Sequence, residues 1–164
     1  MLNITGKDGL KTKLRLNIRP YVEKFLKNVS KYYEVYIFTA ATFHYANVVV
    51  NFLDPQLKYI CGIFDRSYCL EPKSGFYIKD LSIFQNRKLQ NMVIIDNMPH
   101  SFSYQINNGI PITSYTKNEA DEELKYLSHY LIEGAFKDDL SEFNREQLNL
   151  EGLLKYNQED LQFI

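Results

Sequence analysis

Short apolar runs and amphipathic segments alternate along most of this chain. The apolar runs are typical of strands buried on both faces of a parallel sheet, and they lie at residues 34–39, 59–64, 76–81, 93–95 and 110–112. Between them, apolar residues recur at helical spacing, in segments 22–29, 46–53 and 120–131. From Pro20 to Ile132 this order predicts an α/β fold in which helices flank a parallel sheet.

The N-terminal residues follow a different period. Apolar side chains alternate with polar and basic ones from Leu10 to Ile18, which is typical of a half-buried strand. Leu2–Thr5 form a second strand candidate, and an Asp-Gly turn separates the two. Residues 2–18 are therefore predicted to form a small β-hairpin. Its basic face is either simply solvated or meets an acidic or phosphorylated partner.

The composition is typical of an ordinary globular protein, and the sequence lacks the features of several other classes of protein. The chain has 164 residues, of which 45% are hydrophobic and 24% charged, so one domain with a real core is expected. No apolar run is long enough for a membrane span, and no signal peptide or basic, aromatic-rich run is present. We expect neither a membrane nor a nucleic acid as partner. Cys61 and Cys69 predict free thiols in a reducing compartment, unless the fold pairs them.

The C-terminal residues are polar and only weakly periodic. We expect a domain at residues 1–140 and a polar, helical tail at 141–164.

Side chains with possible catalytic or binding roles lie in or directly after three of the predicted strands. Thr39 ends one strand, Lys79 lies in another, and Asp96-Asn97 follow a third. Because the carboxyl ends of parallel strands meet at one rim, these groups are predicted to converge. A hydroxyl and an ammonium suit phosphate oxygens, whereas a carboxylate and an amide suit Mg²⁺. The alternative is that Asp96 or Asn97 only caps the helix that Pro99 opens.

Several segments, in this order and spacing, resemble the phosphatase domain of the haloacid dehalogenase (HAD) superfamily. Within it, they resemble the small phosphatases of the RNA polymerase II C-terminal domain, also called NLI-interacting-factor-like phosphatases. The resemblance covers roughly residues 3–140. The matching segments are Arg19-Pro20, Phe25-Leu26, Glu34-Val35, Ile37-Phe38-Thr39-Ala40, Tyr45-Ala46, Leu53-Asp54, Arg66, Cys69, Tyr77-Ile78-Lys79-Asp80-Leu81-Ser82 and Ile95-Asp96-Asn97-Met98-Pro99.

The resemblance implies a Rossmann-like (HAD-like) fold and Mg²⁺-dependent hydrolysis of phosphoserine or phosphothreonine through an aspartyl-phosphate. Thr39 resembles the phosphate-binding hydroxyl, and Lys79 the lysine that neutralises the phosphoryl group and the nucleophile. Both are expected catalytic residues. Asp96 and Asn97 resemble the acidic motif beside the metal. Arg66 resembles an arginine that meets substrate phosphate, with a surface salt bridge as its alternative.

This sequence also departs from the family pattern. Met98 stands where the family usually has Ser. The family's first strand carries an Asp-x-Asp-x-Thr motif with the nucleophile, and nothing here matches it. Asp8 and Thr12 have the right interval, but Leu10 replaces the second Asp. No catalytic role is expected for the three histidines, which are His44, His100 and His129.

Two expectations follow from the missing motif. No nucleophile is present, so this chain as it stands is expected to be inactive, with Mg²⁺ binding weakened or lost. The first, normally central strand would also be missing between the strands that end at Thr39 and Asp96. Leu2–Thr5, a segment of a partner chain in an oligomer, or direct pairing of the flanking strands would then fill the gap.

The functional expectation is a protein-serine/threonine phosphatase-family domain. If an in-frame motif lies upstream of Met1, the natural protein is an enzyme. If not, the alternative is a pseudophosphatase, a non-catalytic phosphoprotein-binding or scaffold module. The expected partner is a phosphoprotein or phosphopeptide, with the RNA polymerase II C-terminal domain as one candidate. The expected location, by family, is the nucleus or the cytoplasm.

Overall fold

The computed structural model describes residues 2–5, 11–14, 16–71 and 75–152, with side chains described from residue 16 onward. These residues fall into two compact units. Unit 1 contains the described residues up to Tyr68 together with Ser114–Ile132, and unit 2 contains those of Cys69–Thr113 and from Glu133 onward. None of the helices in the described ranges has the length and apolarity needed to cross a bilayer.

Unit 1 begins with an antiparallel hairpin and continues as alternating helices and strands. The hairpin pairs Leu2 with Leu14 and Thr5 with Lys11. The hairpin strands are β1 (Leu2–Thr5) and β2 (Lys11–Leu14), and α1 (Val22–Val29), β3 (Val35–Phe38), α2 (Phe43–Leu53), β4 (Ile60–Phe64) and most of α3 (Glu123–Gly134) follow.

Strands β3 and β4 pair in parallel and carry the core of unit 1. Their register places Phe38 opposite Phe64, at the carboxyl ends of both strands. The buried centre consists of Leu26 from α1, Val50 from α2 and Ile60 from β4, and partly buried apolar side chains surround it. Each of these residues comes from a segment whose spacing predicted its element, so the hydrophobic pattern accounts for this layer.

Asp54 closes α2 and fixes the start of β4. It is only 3% exposed, and its carboxylate accepts the backbone N–H groups of Lys58, Tyr59 and Ile60 at 2.9, 2.7 and 2.9 Å. Burial acts to raise the pKa of Asp54, but these three donors outweigh it and lower the pKa. The sequence indicated only that Asp54-Pro55 would end the helix.

A bidentate ion pair joins the chain before α1 to the segment before α3. Arg19 Nε and Nη2 each lie 2.8 Å from a carboxylate oxygen of Asp121. The Arg19 guanidinium also lies 5.6 Å from the centre of the Tyr115 ring. Further along, the Tyr33 hydroxyl donates to the Leu131 carbonyl at 2.6 Å. These contacts attach α3 to the rest of unit 1.

Unit 2 is built around a second parallel pair. Ile94 pairs with Gly109 and Asp96 with Pro111. Phe102 is fully buried, and a Cβ on Gly109 would overlap its ring, so the strand packs closely on this side chain. The elements are short 3₁₀ turns at Leu81–Ile83 and Leu89–Asn91, β5 (Ile94–Asp96), a kinked 3₁₀ segment at Pro99–Asn108, β6 (Gly109–Pro111) and α4 (Leu140–Leu148).

The structure corrects several boundaries. The second hairpin strand ends at Leu14 rather than Ile18. The strand predicted at 76–81 is wrong: within it only Ile78 forms a β-bridge, to Leu70, and Leu81–Ile83 is a 3₁₀ turn that Asp80 caps. The predicted helical tail contains α4, in which Leu140 and Phe143 are buried. Residues 153–164 of that tail and the Asp8 segment lie outside the described residues.

The predicted α/β class with parallel strands is confirmed. The described strands form three two-stranded sheets rather than one. Among them, β3 and β5 each pair with a single strand, and β1 pairs with β2 and not with β3. Among the described strands, the hypotheses that Leu2–Thr5 fills the gap and that the two flanking strands pair directly are therefore wrong, and a segment of a partner chain stays a prediction.

Candidate functional site

Lys79 and Asp96 form an ion pair in unit 2. Lys79 Nζ donates to Asp96 Oδ2, and the two side chains are 13% and 7% exposed. Asp96 is the last residue of β5, where its strand position predicted a functional carboxylate. An ammonium has three N–H donors, so one contact with Asp96 leaves this group able to donate to a second acceptor.

The other oxygen of Asp96 holds the turn that follows β5. Asp96 Oδ1 accepts the Met98 backbone N–H at 2.8 Å, which is an Asx-turn. The 3₁₀ segment that Pro99 opens has Met98 at its N-cap, and no side chain caps it. Asp96 therefore does not act as a helix cap. Asn97, the second predicted metal ligand, is exposed.

Backbone contacts hold Lys79 in place on both sides. The Lys79 N–H donates to the Ser101 carbonyl at 2.7 Å. One residue earlier, buried Ile78 exchanges two backbone hydrogen bonds with Leu70, at 2.8 and 2.9 Å. The sequence did not identify Ser101 as a supporting residue, since a main-chain acceptor leaves no signal in side-chain type.

Thr39 lies at the end of β3 in unit 1. Its backbone N–H donates to the Phe64 carbonyl at 2.9 Å, which continues the β3–β4 ladder by one residue. Its hydroxyl accepts the Ala41 N–H at 3.0 Å. The hydroxyl is thus positioned by the turn between β3 and α2.

Arg66 follows β4 and attaches to the same turn. Its backbone N–H donates to the Ala41 carbonyl at 2.9 Å, and its Nε donates to the Ala40 carbonyl at 2.6 Å. The side chain is exposed. The structure therefore brings Thr39 and Arg66 together in unit 1, and Lys79, Asp96 and Asn97 together in unit 2. Convergence of the two sets at one rim stays a prediction.

Asp80 is the carboxylate nearest to Lys79 in sequence, but it has a structural task. It accepts the Ser82 N–H at 2.8 Å and the Gln105 side-chain amide at 2.7 Å. Burial acts to raise the pKa of Asp80, but the hydrogen bonds from Ser82 and Gln105 outweigh it and lower the pKa. Asp80 therefore caps the 3₁₀ turn Leu81–Ile83.

A Mg²⁺ site at Asp96 and Asn97 stays a prediction. Mg²⁺ requires several oxygen ligands in octahedral geometry. Asp96 is the one buried carboxylate at this position, and both of its oxygens already accept hydrogen bonds. Across the described ranges, no group of three or more His, Cys, Asp or Glu side chains is placed to hold a metal ion.

Comparisons with a family profile and with curated proteins both find phosphatases. The sequence profile of the family described as NLI interacting factor-like phosphatase matches residues 2–141. The chain is 40% identical over 136 residues to CTD small phosphatase-like protein 2 of Dictyostelium discoideum, covering 83% of this chain and 24% of that protein. It is 36% identical over 126 residues to Carboxy-terminal domain RNA polymerase II polypeptide A small phosphatase 2 of Mus musculus, covering 74% and 44%.

A solved structure shows the same fold. Fcp1, described as an essential RNA polymerase II CTD phosphatase, aligns with a TM-score of 0.68 at 18% identity over 92% of this chain and 54% of that one. The chain spans less than half the length of both curated relatives.

Proposed function

Since the chain belongs to the NLI interacting factor-like phosphatase family, we propose that it recognises phosphorylated serine or threonine in a protein segment. Residues 1–164 by themselves hydrolyse that phosphoester at a negligible rate. The Lys79–Asp96 pair carries this proposal, because it fixes an ammonium with remaining donors at the end of β5. Thr39 and Arg66 are the proposed further phosphate contacts.

Cleavage of the phosphoester needs a nucleophile, whereas binding of the phosphate does not. Hydrolysis through an aspartyl-phosphate needs a carboxylate that attacks phosphorus. Residues 1–164 contain no Asp-x-Asp-x-Thr motif, and Asp96 and Asp80 both accept hydrogen bonds that hold the local fold. The ammonium of Lys79 can still donate to a phosphate oxygen, because that contact needs no nucleophile.

We further propose that Mg²⁺ binds only weakly at Asp96 and Asn97. The cation would have to share Asp96 with the ammonium of Lys79, and two positive charges close together repel each other. Phosphopeptide binding is therefore expected to be nearly indifferent to Mg²⁺. The names of the relatives make the RNA polymerase II C-terminal domain one candidate partner and an intracellular, nuclear or cytoplasmic, location the expected one.

Fluorescence anisotropy with a labelled phosphoserine peptide and its unphosphorylated twin tests the proposal, with and without Mg²⁺. The informative variant is Lys79→Met combined with Asp96→Asn, because it removes the ammonium without leaving a buried carboxylate unpaired. A hydrogen bond to a charged group contributes about 1.5–3 kcal/mol. We therefore expect the double variant to bind the phosphopeptide about tenfold or more weakly.

Lys125→Met is the matched control, because it removes an exposed lysine far from Lys79 in sequence. It is expected to bind like the wild type. Equal affinity of the wild type for the two peptides would contradict the proposal and would leave a phosphate-independent scaffold as the function. Release of phosphate from the peptide would contradict the inactivity of residues 1–164.

A further inference from the structure

A tilted aromatic pair in unit 2 lies close in sequence to both members of the Lys79–Asp96 ion pair. The rings of Phe76 and His100 have their centres 4.6 Å apart and are tilted by 50°. Phe76 stands three residues before Lys79, and His100 four residues after Asp96. A backbone hydrogen bond joins the two segments, in which the Lys79 N–H donates to the Ser101 carbonyl. The ring pair is therefore joined to the ion pair through the chain on both sides.

The ring of Phe76 is exposed but contacts a neighbouring ring. A single exposed apolar side chain is ordinary on a protein surface, but this one is 53% exposed while its ring rests on an imidazole. The chain just after it is anchored by buried Ile78, which exchanges two backbone hydrogen bonds with Leu70. Just before it, Gly75 has φ +77°, a left-handed conformation that favours glycine.

We infer that the Phe76–His100 pair is a specificity element that stacks on a flat side chain next to the phosphorylated residue. This inference rests on the proposed function, because it assigns a neighbour to the phosphate that Lys79 would contact. An aromatic side chain has few rotatable bonds and so gives contact area at low cost in side-chain entropy. Met98, which is 45% exposed and is the residue whose N–H Asp96 accepts, adds a polarisable side chain near this position.

The occupant is an aromatic residue rather than any apolar one. Aromatic rings prefer offset or edge-to-face contact with one another, which adds about 0.5–1.5 kcal/mol beyond area burial. A branched aliphatic side chain gains free energy from burial but not the additional free energy of an oriented ring–ring contact. The expected order of affinities for peptides that differ only beside the phosphoserine is therefore Phe above Leu and Ala, with Phe favoured about 3- to 10-fold over Ala.

The test uses three labelled peptides in which phosphoserine is flanked on both sides by Phe, by Leu or by Ala. Fluorescence anisotropy with the full chain gives the ratio of the Phe-peptide affinity to the Ala-peptide affinity. We expect this ratio to fall close to one in Phe76→Ala and in Phe76→Leu, the second of which keeps an apolar side chain but removes the ring. His100→Ala is expected to lower the ratio in part, since it removes the support of the ring.

Phe136→Ala is the matched control, because Phe136 is another exposed phenylalanine of unit 2, 73% exposed. It should keep the wild-type ratio, and circular dichroism of every variant should match the wild type. A wild-type ratio near one, or a ratio that persists in both Phe76 variants, would overturn the inference. An unphosphorylated Ala peptide gives the proposed function a separate readout, because phosphate recognition fails if the Ala peptide binds equally with and without its phosphate.

Discussion

Removing either member of the Lys79–Asp96 pair is expected to destabilise unit 2 strongly. The side chains are only 13% and 7% exposed, so each single change leaves one poorly solvated charge without its partner. Breaking a buried pair in this way costs about 3–5 kcal/mol, and the small residual exposure favours the lower end. We therefore expect Asp96→Asn and Lys79→Met each to lower the free energy of unfolding by about 3 kcal/mol.

The double variant should lose much less than the two single effects combined. It contains no unpaired charge, and Asn at position 96 can still accept the Met98 N–H through its side-chain carbonyl. The remaining loss is about one ordinary hydrogen bond, about 1 kcal/mol. Urea unfolding followed by circular dichroism measures all three variants, and no tryptophan signal is needed, since the chain has none.

The exposed pair Lys125–Glu122 provides the control cycle. Its side chains are 42% and 39% exposed, so little or no coupling is expected between Lys125→Met and Glu122→Gln. The reasoning about the buried pair would be refuted if the Lys79 and Asp96 changes were small and additive within about 0.5 kcal/mol. That result would mean that water screens the pair despite its low exposure.

Three further predictions concern single positions. Because the pKa of Asp54 is lowered, the stabilisation that its carboxylate gives is present above about pH 4, the pKa region of an unfolded aspartate, and is lost on further acidification. In urea unfolding, Asp54→Asn should lower the free energy of unfolding by about 2 kcal/mol at pH 6 and by clearly less at pH 3. Gly109→Ala should be among the most damaging substitutions, lowering the melting temperature, because its Cβ would overlap the buried Phe102 ring. Burial raises the pKa of Tyr33 to about 12, so the stabilisation that Tyr33 gives the fold is intact below pH 10 and is lost between pH 10 and 12. In an absorbance titration at alkaline pH, the tyrosine that ionises last in the wild type should be absent from Tyr33→Phe.

The hydrophobic pattern predicts most elements correctly because burial sets it. The runs at 34–39 and 59–64 contain β3 and β4, and the helical spacing at 46–53 lies within α2. The strand predicted at 76–81 was wrong because an apolar run does not reveal whether a partner strand is available, and here only Ile78 finds one.

The candidate site was predictable in residue type but not in its contacts. Strand-end position identified Lys79 and Asp96, yet their mutual ion pair depends on tertiary geometry that spacing does not contain. The role of Asp54 was underestimated for the same reason, since its three N–H partners lie in the loop and strand after it. The contact of His100 with Phe76 likewise depends on tertiary geometry that spacing does not contain.

Phosphorus NMR of a phosphoserine peptide titrated with residues 1–164 tests the central claim most directly, because one spectrum reports both binding and cleavage. The phosphoserine resonance should shift or broaden with the wild type, and the same change should need about tenfold or more of the Lys79→Met/Asp96→Asn double variant. No resonance of inorganic phosphate should grow in either sample. A growing inorganic phosphate resonance, or a phosphoserine resonance that the wild type leaves unchanged, would contradict the claim that this chain holds the phosphate without releasing it.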